Sequence, residues 1–129
     1  MAQRLRCREL FISTGQLDAR GQVAHAVAPQ PATRWITAYK TLCHVAELAE
    51  KHEVVFHLEH LDTKVDHPGH LLPREEDVLE LLAEVDSLRV KLVLEIYQVQ
   101  TEEGNVVEVV RTGTNPDWAR FSVPASWRP

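Results

Sequence analysis

Two glutamates hold equivalent places at the ends of two apolar runs. Glu59 closes Val54-Val55-Phe56-His57-Leu58-Glu59, and Glu95 closes Val90-Lys91-Leu92-Val93-Leu94-Glu95. They are 36 residues apart, the length of one strand–helix unit. Neighbouring parallel strands lie about 4.8 Å apart. The two carboxylates would then stand together on the rim where β/α proteins keep their active sites, and could share a divalent cation. The plainer alternative is a pair of solvated strand-end glutamates in an acidic protein. Ionised groups are seldom buried without partners, so two in register weigh against it. Strand alternation puts His57 on the face of Glu59 and turns Phe56 and Leu58 toward the helices.

Seven histidines invite the same weighing: His25, His44, His52, His57, His60, His67 and His70. Four of them fall between His57 and His70, and His67-Pro68-Gly69-His70 superficially suggests a metal site. Structural zinc sites, however, use Cys/His sets at recognisable spacing, and no pair of pairs occurs here. Most of these histidines are therefore expected in loops or at caps. The chain has no phosphate-binding glycine loop, no dinucleotide fingerprint, no Gly-x-Ser-x-Gly elbow and no Cys–His pair with an obvious third member.

The elements that must position these groups follow from apolar periodicity. Leu10-Phe11-Ile12-Ser13 reads as a buried strand that meets a turn at Thr14-Gly15. Residues 16 to 32, with Gly21, Pro29 and Pro31, read as a long loop. From Thr33 to Lys51, Trp35, Tyr39, Leu42, Ala46 and Ala49 form one stripe of an amphipathic helix opposite Arg34, Lys40, Glu47 and Glu50. A strand is expected over Val54 to Leu61, then a break at Pro68-Gly69. A second helix follows from Arg74, with Val78, Leu81, Leu82 and Val85 inward and Glu75, Glu76 and Asp77 at its positive end. The third strand runs from Val90 to Tyr97. A short helix begins at Asn105, where Asn105 and Glu108 have capping-box spacing. A weak strand over Ala119 to Val123 ends the pattern.

Apolar strands alternating with helices indicate parallel β/α units joined by right-handed crossovers. An open doubly wound sheet and a piece of a (β/α)8 barrel both fit that order. A closed barrel typically takes about 250 residues, and this chain of 129 residues supplies about three and a half units. Residues 1–112 are assigned to the β/α domain and 113–129 to an irregular tail rich in Pro and Trp.

Composition narrows the partners. Fourteen Lys+Arg against 19 Asp+Glu give a net charge of −5, which argues against sequence-independent nucleic-acid binding. No apolar run approaches a membrane span, and Met1 to Arg6 leads into no signal-type stretch. Cys7 and Cys43 make no disulfide framework, so a reduced, cytoplasmic protein is expected.

Two longer stretches carry a resemblance. They are Glu59-His60-Leu61-Asp62-Thr63-Lys64-Val65-Asp66-His67-Pro68-Gly69-His70 and Leu94-Glu95-Ile96-Tyr97-Gln98-Val99-Gln100-Thr101-Glu102-Glu103-Gly104-Asn105. Together with Leu10 to Gly15 and the helix ending at His52, the chain resembles the hydroxypyruvate isomerase branch of the xylose isomerase-like TIM-barrel superfamily over roughly residues 8 to 112. The resemblance implies about half of a barrel, beginning near its fourth strand. It also implies metal-dependent isomerisation of a small hydroxy-carbonyl compound, hydroxypyruvate to tartronate semialdehyde, with Mg²⁺ or Mn²⁺. On this likeness Glu59 is ligand and proton-transfer group, and Glu95 is the second ligand. His67, Tyr97, Gln98 and Gln100 contact a sugar or hydroxy-acid substrate. Such a piece is expected to pair with itself or with a complementary half-barrel, and to be incomplete as a lone catalyst; an inactive remnant or interaction module is the alternative. The chain also departs from the family pattern. Glu59-His60-Leu61-Asp62 stands where Glu-Pro-(Leu/Ile)-Asn is usual, and Glu95-Ile96-Tyr97-Gln98 where Asp-x-Tyr-His is usual. A Glu in place of Asp displaces the carboxylate by a methylene.

Overall fold

The computed structural model describes residues 7–24, 30–113 and 119–122. Four strands form one sheet: β1 (Glu9–Ser13), β2 (Val55–Glu59), β3 (Val90–Glu95) and β4 (Ala119–Ser122). All neighbours are parallel and the spatial order is β1-β2-β3-β4. The helices are α1 (Pro31–His52), α2 (Glu75–Val85), α3 (Ile96–Glu102) and α4 (Val106–Gly113).

Local chemistry sets the helix limits. Pro31 opens α1, where its fixed φ fits and its missing N–H costs nothing. Glu53 ends it in the left-handed region at φ 53°, and the Val54 N–H closes onto the Ala49 carbonyl. Helix α2 likewise starts on Glu75, Glu76 and Asp77 and stops at Asp86, φ 48°. At α4 the Glu108 N–H donates to Asn105 Oδ1 at 3.4 Å, as the capping spacing predicts. The buried stripe of α1 is Ala38, Leu42 and Ala49, rotated from the expected one, and Tyr39 lies at its exposed margin.

Strands β1, β2 and β3 each have two unlike faces. Leu58, Val90, Leu92 and Leu94 pack under Ala38, Leu42, Val78, Leu81 and Leu82, joined by Val99 of α3 and Val109 of α4. The other face carries Glu9, Phe11 and Ser13, then His57 and Glu59, then Lys91, Val93 and Glu95, aligned by register. Sequential strand order with one helix-packed face is the barrel solution, not the doubly wound one. The chain forms a partial (β/α)8 barrel.

Three expectations need correction. Strand β2 stops at Glu59 instead of Leu61, and β3 stops at Glu95 instead of Tyr97. The residues after Glu95 turn directly into α3, a helix absent from the expected order. Helix α1 begins at Pro31 instead of Thr33; the described part of the expected loop holds a tight turn closed by a Leu17–Val23 bridge, and residues 25–29 lie outside the described residues. The expected weak strand is present as β4, while residues 114–118 and 123–129 of the tail lie outside the described residues.

Candidate functional site

Glu59 and Glu95 are the last residues of adjacent strands, on the face away from the helices. Glu59 pairs in register with Val93. Glu95 therefore projects two residues further along, a rise of about 6.6 Å. The groups still feel one another. Burial first, and then the Glu95 charge, push the Glu59 carboxyl above its usual range, while His67 pulls it back. Glu95 is 9% exposed, and its Oε1 is buried with no hydrogen-bond partner among the described residues. A buried carboxylate oxygen left in that state is costly unless a cation or donor arrives.

The segment after β2 arches over this rim and is fastened at both sides. Asp62 is fully buried; its Oδ1 accepts from the Val65 and Asp66 N–H groups at 2.8 and 3.0 Å. Its own N–H donates to Gln98 Oε1 at 2.7 Å. Thr63 donates to Glu102 Oε2 through both its N–H and its hydroxyl, and Lys64 Nζ donates to the Glu102 carbonyl. Tyr97 donates its hydroxyl to Asp66 Oδ2 at 2.6 Å, which together with burial raises the tyrosine pKa. On the β1 side, Gln22 Nε2 donates to the Asp66 carbonyl at 2.7 Å.

His67 is oriented from the same side. Its Nδ1 lies 2.6 Å from the Gly21 carbonyl. A carbonyl only accepts, so Nδ1 carries the hydrogen and Nε2 of the neutral ring is an acceptor. Gly21 has φ +78°, and a Cβ there would stand 3.3 Å from His67 Cε1. Both the backbone twist and the approach of the ring require glycine.

The sequence-derived site residues thus separate. Glu59, Glu95 and His67 gather at one rim, close enough for their charges to act on Glu59. Tyr97 and Gln98 sit on α3 and hold the arch, and Gln100 is exposed on that helix. Asp62, Asp66, Glu102 and Gln22 did not figure as site residues, yet they fix where His67 stands. An Asp followed by a short polar turn is the signal that could have singled out Asp62. Among the described residues no group of three or more His, Cys, Asp or Glu side chains is arranged to hold a metal. Glu59 and Glu95 supply two donors of the hard, anionic type that Mg²⁺ and Mn²⁺ take, and the buried lone Oε1 of Glu95 fits a cation.

Parallel strands in sequence order, helices on one face and carboxylates on the carboxyl-end rim define half of a (β/α)8 barrel. The model of the xylose isomerase-like TIM barrel family matches residues 1–120, and the chain belongs to that family. Its structure superposes on the crystal structure of an AP endonuclease, family 2, from Brucella melitensis, with a TM-score of 0.74 at 17% identity. The match covers 95% of this chain and 43% of that one, so the chain spans less than half the length of that structure. A search of the curated proteins gave no match. No helix among the described residues is long and apolar enough to cross a membrane.

Proposed function

We propose that the chain carries the carboxylate half of a divalent-cation site for sugar-type isomerisation. Its substrate is a small hydroxy-carbonyl acid, hydroxypyruvate in the first instance, and its metal is Mg²⁺ or Mn²⁺. One observation carries the reading: Glu59 and Glu95 share a rim and a face, and Glu95 keeps a buried oxygen without a partner among the described residues. The cation would be held by these two carboxylates together with donors from outside the described residues. It would supply polarisation of the substrate's vicinal oxygens.

Proton movement falls to Glu59. A carboxylate held on the carboxyl-end rim is a group of the type that serves as general base in such a step. It takes the proton from C3 of hydroxypyruvate and returns it to C2, while a hydroxyl proton passes from O3 to O2. The product is tartronate semialdehyde, with no net gain or loss of atoms. His67, with Nε2 as acceptor, stands on the same rim to orient a substrate hydroxyl. Endonuclease chemistry on DNA is the weaker reading, because a net charge of −5 opposes a phosphate backbone.

Proton exchange tests this without requiring full turnover. Hydroxypyruvate incubated with the chain and Mg²⁺ in D2O is expected to gain deuterium at C3 faster than in buffer with Mg²⁺ alone, read by mass spectrometry. Glu59→Gln should reduce the excess rate about 100-fold or more, the range a positioned general base supplies. Exchange at the buffer rate with the unaltered chain would leave an inactive half-barrel as the reading.

A further inference from the structure

The turn after β1 meets the arch residue for residue. The Gly21 carbonyl accepts from His67 Nδ1 at 2.6 Å, and its neighbour Gln22 donates from Nε2 to the carbonyl of Asp66, the residue before His67, at 2.7 Å. Asp18 closes that turn. Its Oδ1 accepts from the N–H groups of Arg20 and Gln22 at 2.8 and 2.9 Å. Its carbonyl accepts from the Gly21 N–H at 3.0 Å, and its own N–H donates to the Gln22 carbonyl at 2.8 Å. The bonds from Gln22 and Arg20 hold the Asp18 carboxyl below its usual range, so it stays an acceptor at neutral pH. The legs of the turn are joined by the Leu17–Val23 bridge and by the Ala24 N–H, which donates to the Gln16 carbonyl at 2.8 Å. The Gly21 carbonyl therefore has a fixed place, and it is the one hydrogen-bond partner of the His67 ring among the described residues.

We propose that Asp18 is a positioning residue of the rim: by fixing the Gly21 carbonyl it holds His67 in the Nδ1–H tautomer, with Nε2 as the accepting nitrogen. A neutral imidazole in water favours the other tautomer, with the hydrogen on Nε2. The ring keeps the Nδ1–H form because an acceptor is held against Nδ1. The two tautomers offer opposite chemistry at the rim. A bare Nε2 accepts from a substrate hydroxyl, whereas an Nε2–H only donates. Gln22 works beside Gly21, since its hold on the Asp66 carbonyl sets where the His67 backbone stands. The consequence for isomerisation rests on the function proposed above; the tautomer does not.

Nitrogen-15 spectra of the histidine-labelled chain at about pH 8.5, where imidazoles are neutral, read the tautomer directly. The His67 signals are assigned by their loss in His67→Gln. The wild type is expected to show a hydrogen-bearing Nδ1 and a bare Nε2 at His67. Asp18→Ala removes the acceptor of two turn N–H groups and should move most of the His67 population to the Nε2–H form, with circular dichroism unchanged. Asp18→Asn keeps an accepting oxygen and should restore the wild-type pattern. Gly21→Ala, strained at φ +78° and with its Cβ 3.3 Å from the ring, disturbs the same contact by another route and should act like Asp18→Ala. In the deuterium-exchange assay Asp18→Ala should slow the excess rate about tenfold or more; Asp18→Asn should not.

An Nε2–H ring at His67 in the wild type overturns the proposal. So does an Nδ1–H ring that persists in both Asp18→Ala and Gly21→Ala. The expected tautomers in a chain without deuterium exchange keep Asp18 as the residue that orients His67 and remove the isomerisation it would serve.

Discussion

Lowering the pH from 7 to 4 is expected to remove much of the chain's stability, with most of the loss below pH 6.5. His60 and His70 are 0% and 3% exposed, and burial holds the pKa of each down at about 4 against an ordinary value near 6.5. Above pH 6.5 both are neutral in the folded and the unfolded chain, and folding is indifferent to pH on their account. Between 6.5 and 4 the unfolded chain binds protons that the folded chain refuses, so stability falls as pH falls. Each histidine contributes a slope of up to about 1.4 kcal/mol per pH unit, or on the order of 3 kcal/mol across the window. Below pH 4 the folded form takes the protons too, and the slope ends.

Glu75 works in the opposite direction. Burial and its neighbours Glu103 and Glu76 raise it to about 7, so the folded chain gains its proton first and recovers some stability between pH 7 and 4.5. Solvent screening reduces that recovery, and the net loss is smaller than the two histidines alone would give. Urea unfolding at pH 7.5, 6.0, 5.0 and 4.5 measures it. His70→Leu should remove about half of the histidine slope, and Glu75→Gln should steepen the net fall. Stability that is flat from pH 7 to 4.5 in both the wild type and Glu75→Gln would contradict the buried neutral histidines.

The second large effect is at Asp62. Its Oδ1 closes the turn by accepting two backbone N–H groups, and alanine would leave both with no acceptor under the arch. Hydrogen bonds to a charged acceptor are worth about 1.5–3 kcal/mol each, less where water can replace the acceptor, as at the exposed Val65. Asp62→Ala is expected to cost about 3 kcal/mol in urea unfolding. Asp62→Asn keeps the accepting oxygen and should cost less than about 1 kcal/mol, because the other oxygen, Oδ2, has no hydrogen-bond partner among the described residues to lose. Asp66 and His67 hang from the same turn. The alanine variant should therefore also free the Tyr97 hydroxyl, visible as a fall in the tyrosine titration midpoint. Equal costs for the two variants would show that the turn does not depend on the accepted hydrogen bonds.

The contacts around Asp62 are tertiary, and the local sequence does not announce them. Strands β1, β2 and β3 were legible as short, nearly continuous apolar runs, helices α1 and α2 from an apolar period of 3.6, and α4 from its capping spacing. Helix α3 was not. Ile96-Tyr97-Gln98-Val99 continues the apolar and aromatic character of β3, and its buried helical positions, Gln98, Val99 and Glu102, are mostly polar. Those polar groups are inside because they bond to the arch at Asp62 and Thr63, a tertiary cause that local pattern does not contain. The histidines tell the same story. His60, His67 and His70 are in a loop as expected, yet His60 and His70 are buried as deeply as the core leucines, and His57 is buried within β2. The face and rim of Glu59 and Glu95 followed from strand alternation. Their two-residue offset did not, because register depends on how the strands shear against each other. His25 lies outside the described residues.

In the proposed function, Glu59 and Glu95 grip one dication between them. Mn²⁺ titration of the chain, followed by water-proton relaxation, addresses it without substrate or turnover. Saturable binding is expected in the wild type, weakened about tenfold or more by Glu59→Gln and equally by Glu95→Gln, with Gln100→Ala unchanged. Wild-type protein that leaves the relaxation rate at that of free Mn²⁺, or binding that survives both glutamine variants, would contradict it.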